Sequence, residues 1–335
     1  MIIAYLIILI ALLLGARPRH GENQESYLSK GTTNIVKGFF ILMVFNSHIC
    51  DYWSCLNPVG NYLGQMIVVP FLFYSGYGVM EAIKQKGADY VKDMPRHRIL
   101  STLLNFDVAV CVFAAVSFLL SRELTLKSLI LSLIAWESIG NSNWYIGVIL
   151  IWYGVTWLVF RFLPRKEHSP RCGWQLGLLL ATGILLIIWL KSNRPACWYN
   201  TFLCYYFGVT YSVWQDKIKI LWLRWWGVVI VFGVIGYLMA TALMGSCHGL
   251  FTLVRPFFFM IILLGLTWRI TFTSPILKWC GEHLFPIYIY QRIPMILIAV
   301  LAPFLPNEFP VVFYLSCLTI TLFVAWLYRW WRIPL

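Results

Sequence analysis

In the segment KGFFILMVFNSHICDYW a histidine, His48, is followed three positions later by Asp51. An imidazole is suited to taking a proton from a hydroxyl near neutral pH. On a helix, positions three apart share a face, so Asp51 can stand beside His48, fix its tautomer and raise its basicity, as in a catalytic dyad. A histidine there serves equally well as a helix cap or as the partner of a polar neighbour, and the local residues leave both roles open. Lys37 begins the same segment eleven positions earlier, a separation of about 16 Å on a helix.

A run of cations stands at 84–98, KQKGADYVKDMPRHR, the most basic stretch of the chain. Arg96 and Arg98 close it just before an apolar run, where guanidinium groups can grip phosphates. The same cations would also anchor orientation and snorkel to headgroups. Ahead of them, VPFLFYSGYGVMEAI holds Ser75, Gly76 and Gly78, small residues that let helices approach closely, and Glu81, placed to pair with a basic group. SNWYIGVILIWYG carries Trp144 and Tyr145, which suit an interfacial aromatic belt. GEHLFPIYIYQRIPM combines Pro286, Pro294, Gln291 and Arg292, the pattern of a bent or interrupted helix lining a cavity. Asp107 and Arg255 lie within apolar runs and Glu137 near one. A charge at mid-bilayer costs roughly 2.5–3.5 kcal/mol or more, so each needs a reason.

The elements that must position these groups follow from composition. Of 335 residues, 60% are hydrophobic and 12% charged, against about 25% charged in a soluble domain. Apolar runs near 1–16, 37–54, 62–83, 99–120, 143–162, 174–191, 197–213, 224–244, 250–268, 284–303 and 310–328 predict about ten or eleven transmembrane helices in one all-α polytopic bundle. Helix is forced, because a chain in lipid must satisfy its own backbone. The net charge of +13 sits in short loops between these runs, which argues orientation and against nucleic acid. Of 26 Lys and Arg, 20 fall on one alternating set of loops, 4 on the other and 2 inside spans. That places the basic loops and the C-terminus in the cytoplasm and the N-terminus outside. A full crossing by 125–140 would break the alternation, so that segment is expected to dip at most. The first fifteen residues lack a basic leader and a small-x-small cleavage site, so a retained helix is expected. Nine cysteines show no metal spacing. Cys50, Cys55, Cys197 and Cys247 fall near outer span ends, where a disulfide can form, but sequence does not give its pairing.

Four segments, in order and at matching span positions, resemble acyltransferase family 3: KGFFILMVFNSH, PFLFYSGYG with the following RHR, NWYIGVILIWYG, and GEHLFPIYIYQRIP. The resemblance runs from about Asn34 to the C-terminus, dividing the chain into an extra N-terminal helix and cytoplasmic loop (1–33) and a membrane acyltransferase domain (34–335). It implies ten helices with both termini cytoplasmic once residues 1–16 are set aside. It further implies transfer of an acyl group, often acetyl from acetyl-CoA, to a hydroxyl of a surface or lipid-linked glycan. The family's basic residue, usually Arg, followed after ten intervening residues by an essential His, falls on Lys37 and His48. Lys keeps the charge without the bidentate fork. The arginines after the SG-containing helix fall on Arg96 and Arg98. Where the last motif often ends in His, this chain has Gln291, so no role for that His carries over.

The expected mechanism is then as follows. Acyl-CoA approaches from the cytoplasm and its phosphates bind Lys37, Arg96 and Arg98. His48, oriented by Asp51, acts as general base or first accepts the acyl group, and Trp144 and Tyr145 stack on the acceptor sugar. Acyl-CoA is a substrate, and no bound cofactor or metal is expected. The partners expected are that donor, a glycan or glycolipid acceptor and membrane lipid, with the plasma (inner) membrane as location. A transporter of a small acylated compound would share the polytopic pattern but should show inverted repeats. A noncatalytic partner of a glycan-assembly complex would need His48 only for stability.

Overall fold

A computed structural model describes residues 1–19, 26–53, 57, 59–163, 172–244 and 248–334. Its helices are α1 (Ile2–Leu13), α2 (Lys30–Ile49), α3 (Val69–Met94), α4 (Ser101–Leu119), α5 (Leu126–Leu133), α6 (Trp144–Phe162), α7 (Gly173–Asn193), α8 (Leu203–Val213), α9 (Gln215–Leu243), α10 (His248–Arg269), α11 (Pro275–Glu282), α12 (Leu284–Tyr290), α13 (Arg292–Leu301), α14 (Leu305–Glu308) and α15 (Pro310–Leu327). Two three-residue strands, β1 (Ala16–Pro18) and β2 (Ile270–Phe272), pair antiparallel with Ala16 opposite Phe272. The all-α polytopic bundle expected from the apolar runs is what forms.

Among the described residues, seven helical stretches are long and apolar enough to cross a membrane: Gly64–Leu119, Trp144–Phe162, Gly173–Asn193, Gln215–Leu243, Gly249–Arg269, Leu284–Leu301 and Pro310–Trp330. The first contains two of the expected spans, 62–83 and 99–120. Three expected spans fall outside the seven. α1 has 12 residues and α8 has 11, against the roughly 20 of a full apolar crossing. α2, with 20 residues, is long enough but carries Lys37, Asn46, Ser47 and His48. At 125–140 only the eight residues of α5 are helical, about 12 Å. This is too short to cross, as the alternation of basic loops requires.

Helix ends follow local chemistry. α2 begins earlier than its apolar run because Ser29 caps it, its Oγ accepting from the Thr32 amide at 3.3 Å. α3 runs past its apolar part into the exposed stretch Gln85–Asp89 and kinks at Gly87, whose φ of 60° suits a residue without Cβ. α9 likewise kinks at Trp225, where its polar first part meets the apolar run.

Two close crossings set the core. A Cβ on Gly38 would lie 1.7 Å from the Leu277 carbonyl oxygen, and one on Gly281 1.8 Å from that of Asn34, so α2 and α11 touch backbone to backbone. Gly76 and Gly208 do the same for α3 and α8, each with a carbonyl oxygen 2.0 Å from a built Cβ. Of the small residues picked out in α3, Gly76 is therefore a packing position, while Gly78 has nothing within 4 Å. Glu81 takes the expected partner: Lys84 Nζ is 2.6 Å away, and the Ser212 hydroxyl also donates to the carboxylate at 2.6 Å.

The β1–β2 ladder ties the N-terminal segment to the end of α10. The Arg19 amide donates to the Arg269 carbonyl at 2.7 Å and the Thr273 amide to that of Gly15 at 2.9 Å. Arg19 is buried, bonded to Ser26 and Thr32. The segment ahead of the resemblance is thus joined to the bundle by backbone hydrogen bonds.

Candidate active site

α2 is the spine of the site, with Lys37 toward its start and His48 near its end. Lys37 is half-buried and interacts electrostatically with Lys30, Arg98 and Glu282. Arg98 follows the kinked end of α3, and its Nε donates to the Tyr90 hydroxyl at 2.9 Å. It also interacts electrostatically with Tyr153 of α6 and Tyr205 of α8. Lys37 and Arg98, far apart in sequence, are thereby brought together. Arg96 is not: it is exposed, and no described residue pairs with it.

Where the second half of α3 meets the end of α6 lies a cavity of about 620 Å³. Its lining includes Lys84, Lys86, Asp89, Val91, Phe160 and Arg161. That size falls within the usual range for small-molecule sites. Val91 of its lining directly follows Tyr90, the residue that holds Arg98, in the chain. Lys86 belongs to the most basic stretch of the chain and Arg161 to the end of another apolar run, and nothing in the sequence joins them.

At the other end of α2 the arrangement differs from the expected dyad. α2 stops at Ile49 and the chain turns, with the Asp51 amide donating to the His48 carbonyl at 3.1 Å. Asp51 therefore lies beyond the helical repeat that would have put it beside His48. Its carboxylate accepts instead from Arg292 Nη2 at 2.8 Å. His48 Nδ1 is buried with no hydrogen-bond partner. Arg292 is close enough to act electrostatically on His48 and on Tyr288. The expected interruption near Pro286 and Pro294 falls at Gln291, between α12 and α13, and the next residue is Arg292. Gln291 is fully buried, its amide donating to the Tyr288 carbonyl at 3.1 Å.

Trp144 and Tyr145 face different surroundings. Tyr145 is buried against Phe71 and Tyr288, with edge-to-face ring contacts at 6.1 and 5.3 Å. This corrects the expectation of a Tyr145 ring free to stack on a sugar. Consecutive helical residues point about 100° apart, so one of the two turns into the bundle, and Trp144 is left half-exposed. Among the other polar groups in apolar runs, Arg255 bonds the Leu63 carbonyl and Met244 Sδ, both at 3.2 Å, and Asp107 has a buried, unpartnered Oδ1. The Cys50 thiol donates to the Asn46 carbonyl at 3.2 Å and Cys197 carries a free thiol, while Cys55 and Cys247 lie outside the described residues. Burial raises the Cys197 thiol above its ordinary pKa.

Cations stand on α2, on α3, on α6 and between α3 and α4, and α2 carries an imidazole about 16 Å from Lys37. A family profile described as an acyltransferase domain, that of acyltransferase family 3, matches residues 33–330. No solved structure resembles the chain.

Proposed function

The chain belongs to acyltransferase family 3, and from that premise we propose that it moves an acyl group, acetyl above all, from cytoplasmic acyl-CoA to a hydroxyl of a surface or lipid-linked glycan. The observation that carries this is that Lys37, within electrostatic reach of Arg98, stands toward one end of the helix that bears His48 near the other. A coenzyme A thioester has phosphates at one end and the reactive carbon at the far end of an extended arm. Its phosphates bind Lys37 and Arg98, and the basic cavity bounded by Lys84, Lys86 and Arg161 takes the nucleotide end. Arg96, exposed at the rim, guides the donor in. The pantetheine arm then runs along α2 and brings the thioester to His48. His48 takes the proton of the acceptor hydroxyl, the hydroxyl oxygen bonds to the acyl carbon, and coenzyme A leaves as its thiol. Half-exposed Trp144 offers the acceptor sugar an aromatic face. This layout lets a donor from the cytoplasm modify a glycan on the outer side of the plasma membrane.

The test is base-labile acetate on surface glycans of cells lacking the chain. These are complemented with the native protein or with His48→Ala at matched membrane levels. Acetate restored by the native chain alone supports an O-acetyltransferase that depends on His48. Restoration by both removes His48 from the chemistry. Restoration by neither removes acetyl or the glycan from the proposal.

A further inference from the structure

We propose that Arg292 is a catalytic residue, whose Nε–H binds the carbonyl oxygen of the acyl group and holds the negative charge that forms there during transfer. The inference rests on acyl transfer at His48. Arg292 opens α13, inside the candidate span Leu284–Leu301, where a cation calls for a functional reason. Its guanidinium is divided between two environments. Nη2 donates to Asp51 at 2.8 Å, and the two side chains are 25% and 53% exposed, so this edge lies at a mouth of the bundle. Nε is buried and has no partner. A half-exposed ion pair adds little stability by itself, and it gives no reason for a buried, unsatisfied donor on the other edge.

Two further buried groups lie within electrostatic reach of that guanidinium. His48 Nδ1 is buried without a hydrogen bond, and Arg292 acts electrostatically on His48 and on Tyr288, whose buried hydroxyl also interacts with the Tyr145 backbone. Unsatisfied polar atoms of α2 and α13, His48 Nδ1 and Arg292 Nε, thus lie within electrostatic reach of each other. Buried donors are almost always paired, so such a gathering marks where a polar group enters. Asp51 acts here as a positioning residue: it fixes the guanidinium and directs Nε inward. A donor fixed in advance and shielded from water is what a developing oxyanion needs.

The step balances. The acceptor hydroxyl gives its proton to the His48 imidazole while its oxygen bonds to the thioester carbon. The carbonyl π electrons move onto oxygen, and Arg292 Nε–H donates a hydrogen bond to the oxyanion so formed. The oxyanion then collapses, the C–S bond breaks, and the sulfur leaves as thiol with the proton from His48. The guanidinium keeps its charge throughout.

The experiment uses the full chain in inside-out membrane vesicles given radiolabelled acetyl-CoA, with base-labile label on endogenous glycans as readout and donor concentration varied. Arg292→Lys keeps the cation but removes Nε–H. The exchange Asp51→Arg with Arg292→Asp restores an ion pair with its guanidinium on the wrong side. Both are expected to reach the membrane with near-native thermal stability, to keep the apparent KM for acetyl-CoA within about threefold, and to lose about 100-fold or more in maximal rate. A rate within about threefold of native in either variant would overturn the proposal and leave Arg292 an ion-pair partner only. Should the exchange variant fail to fold, Arg292→Lys decides alone. His48→Ala, run alongside, separates the two claims: its full activity removes His48 from the chemistry, whereas an inactive His48→Ala beside an active Arg292→Lys removes the Arg292 proposal alone.

Discussion

Arg98 Nε donates to the Tyr90 hydroxyl at 2.9 Å, from eight residues further along the chain. The bond reaches across the junction between α3 and α4 and draws the guanidinium inward, within electrostatic reach of Lys37. Arg96, only two positions earlier, stays exposed. Two arginines that look equivalent in the sequence thus occupy different places, one in the bundle and one at its rim.

The two should therefore behave differently toward the donor. Arg98→Gln is expected to raise the apparent KM for acetyl-CoA about 10-fold or more, since a charge-assisted phosphate contact contributes about 1.5–3 kcal/mol. Arg96→Gln is expected to change it less than about threefold at physiological salt, with a larger effect at low salt as suits a steering charge. Initial rates in inside-out vesicles at varied acetyl-CoA measure both. Equal effects would place both arginines at the phosphates and remove the distinction drawn from their burial.

If His48 is the general base, its removal acts on turnover and leaves donor capture alone. His48→Gln is expected to lower the maximal rate by about 10²–10⁴-fold, the usual contribution of a positioned base. Equilibrium binding of acetyl-CoA to the purified chain should stay within about twofold, because the phosphates are held eleven positions away. Lost binding at unchanged thermal stability would instead make His48 part of the donor site.

The spans and the spine of the site were legible because both rest on local periodicity. An apolar run reports its own helix, and Lys37 and His48 keep their spacing since a single helix, α2, carries both. What depended on where a helix ends or which way it faces was not legible. Asp51 was paired with His48 on the assumption that α2 continues past Ile49. The helix ends there, and the partner of Asp51 is Arg292, 241 positions along the chain. Arg292 itself stood out as a charge in an apolar run, but no local spacing says what it meets. The burial of Tyr145 depends on Tyr288 and Phe71, which other helices bring in. The basic cavity joins cations from α3 and α6 across a kink at Gly87 that the sequence does not announce.

Orientation rests on loop charge, and labelling tests it. Lys86 and Lys127 are both exposed, the first beside the basic cavity and the second on α5. Lys86→Cys should react with a membrane-impermeant maleimide in inside-out vesicles and stay unlabelled in intact cells, and Lys127→Cys should do the reverse. The native chain, with its own nine cysteines, sets the background. The opposite pattern would invert the protein and put its basic cavity outside, away from cytoplasmic acyl-CoA.

The α2–α11 crossing sets how accurately α2 holds its two functional ends. At Gly281 a Cβ would lie 1.8 Å from the Asn34 carbonyl oxygen and 2.6 Å from its carbon, so no flexible side-chain end can give way. Gly281→Ala must push α11 off α2, and overpacking of this kind costs about 1–3 kcal/mol, or more where backbone has to shift. The shift also moves Glu282, which acts on Lys37 at the donor end. Gly281→Ala is therefore expected to lower the thermal midpoint by several degrees and to weaken acetyl-CoA capture as well. Gly78→Ala is the control: nothing lies within 4 Å of its Cβ, and alanine favours a helix over glycine by about 1 kcal/mol. It should leave stability and activity unchanged or slightly improved. Melting of the purified proteins, followed by loss of the monodisperse peak after heating, reads both. If Gly281→Ala melts with the native chain, the two helices are not in backbone contact, and the alignment of Lys37 with Arg98 needs another support.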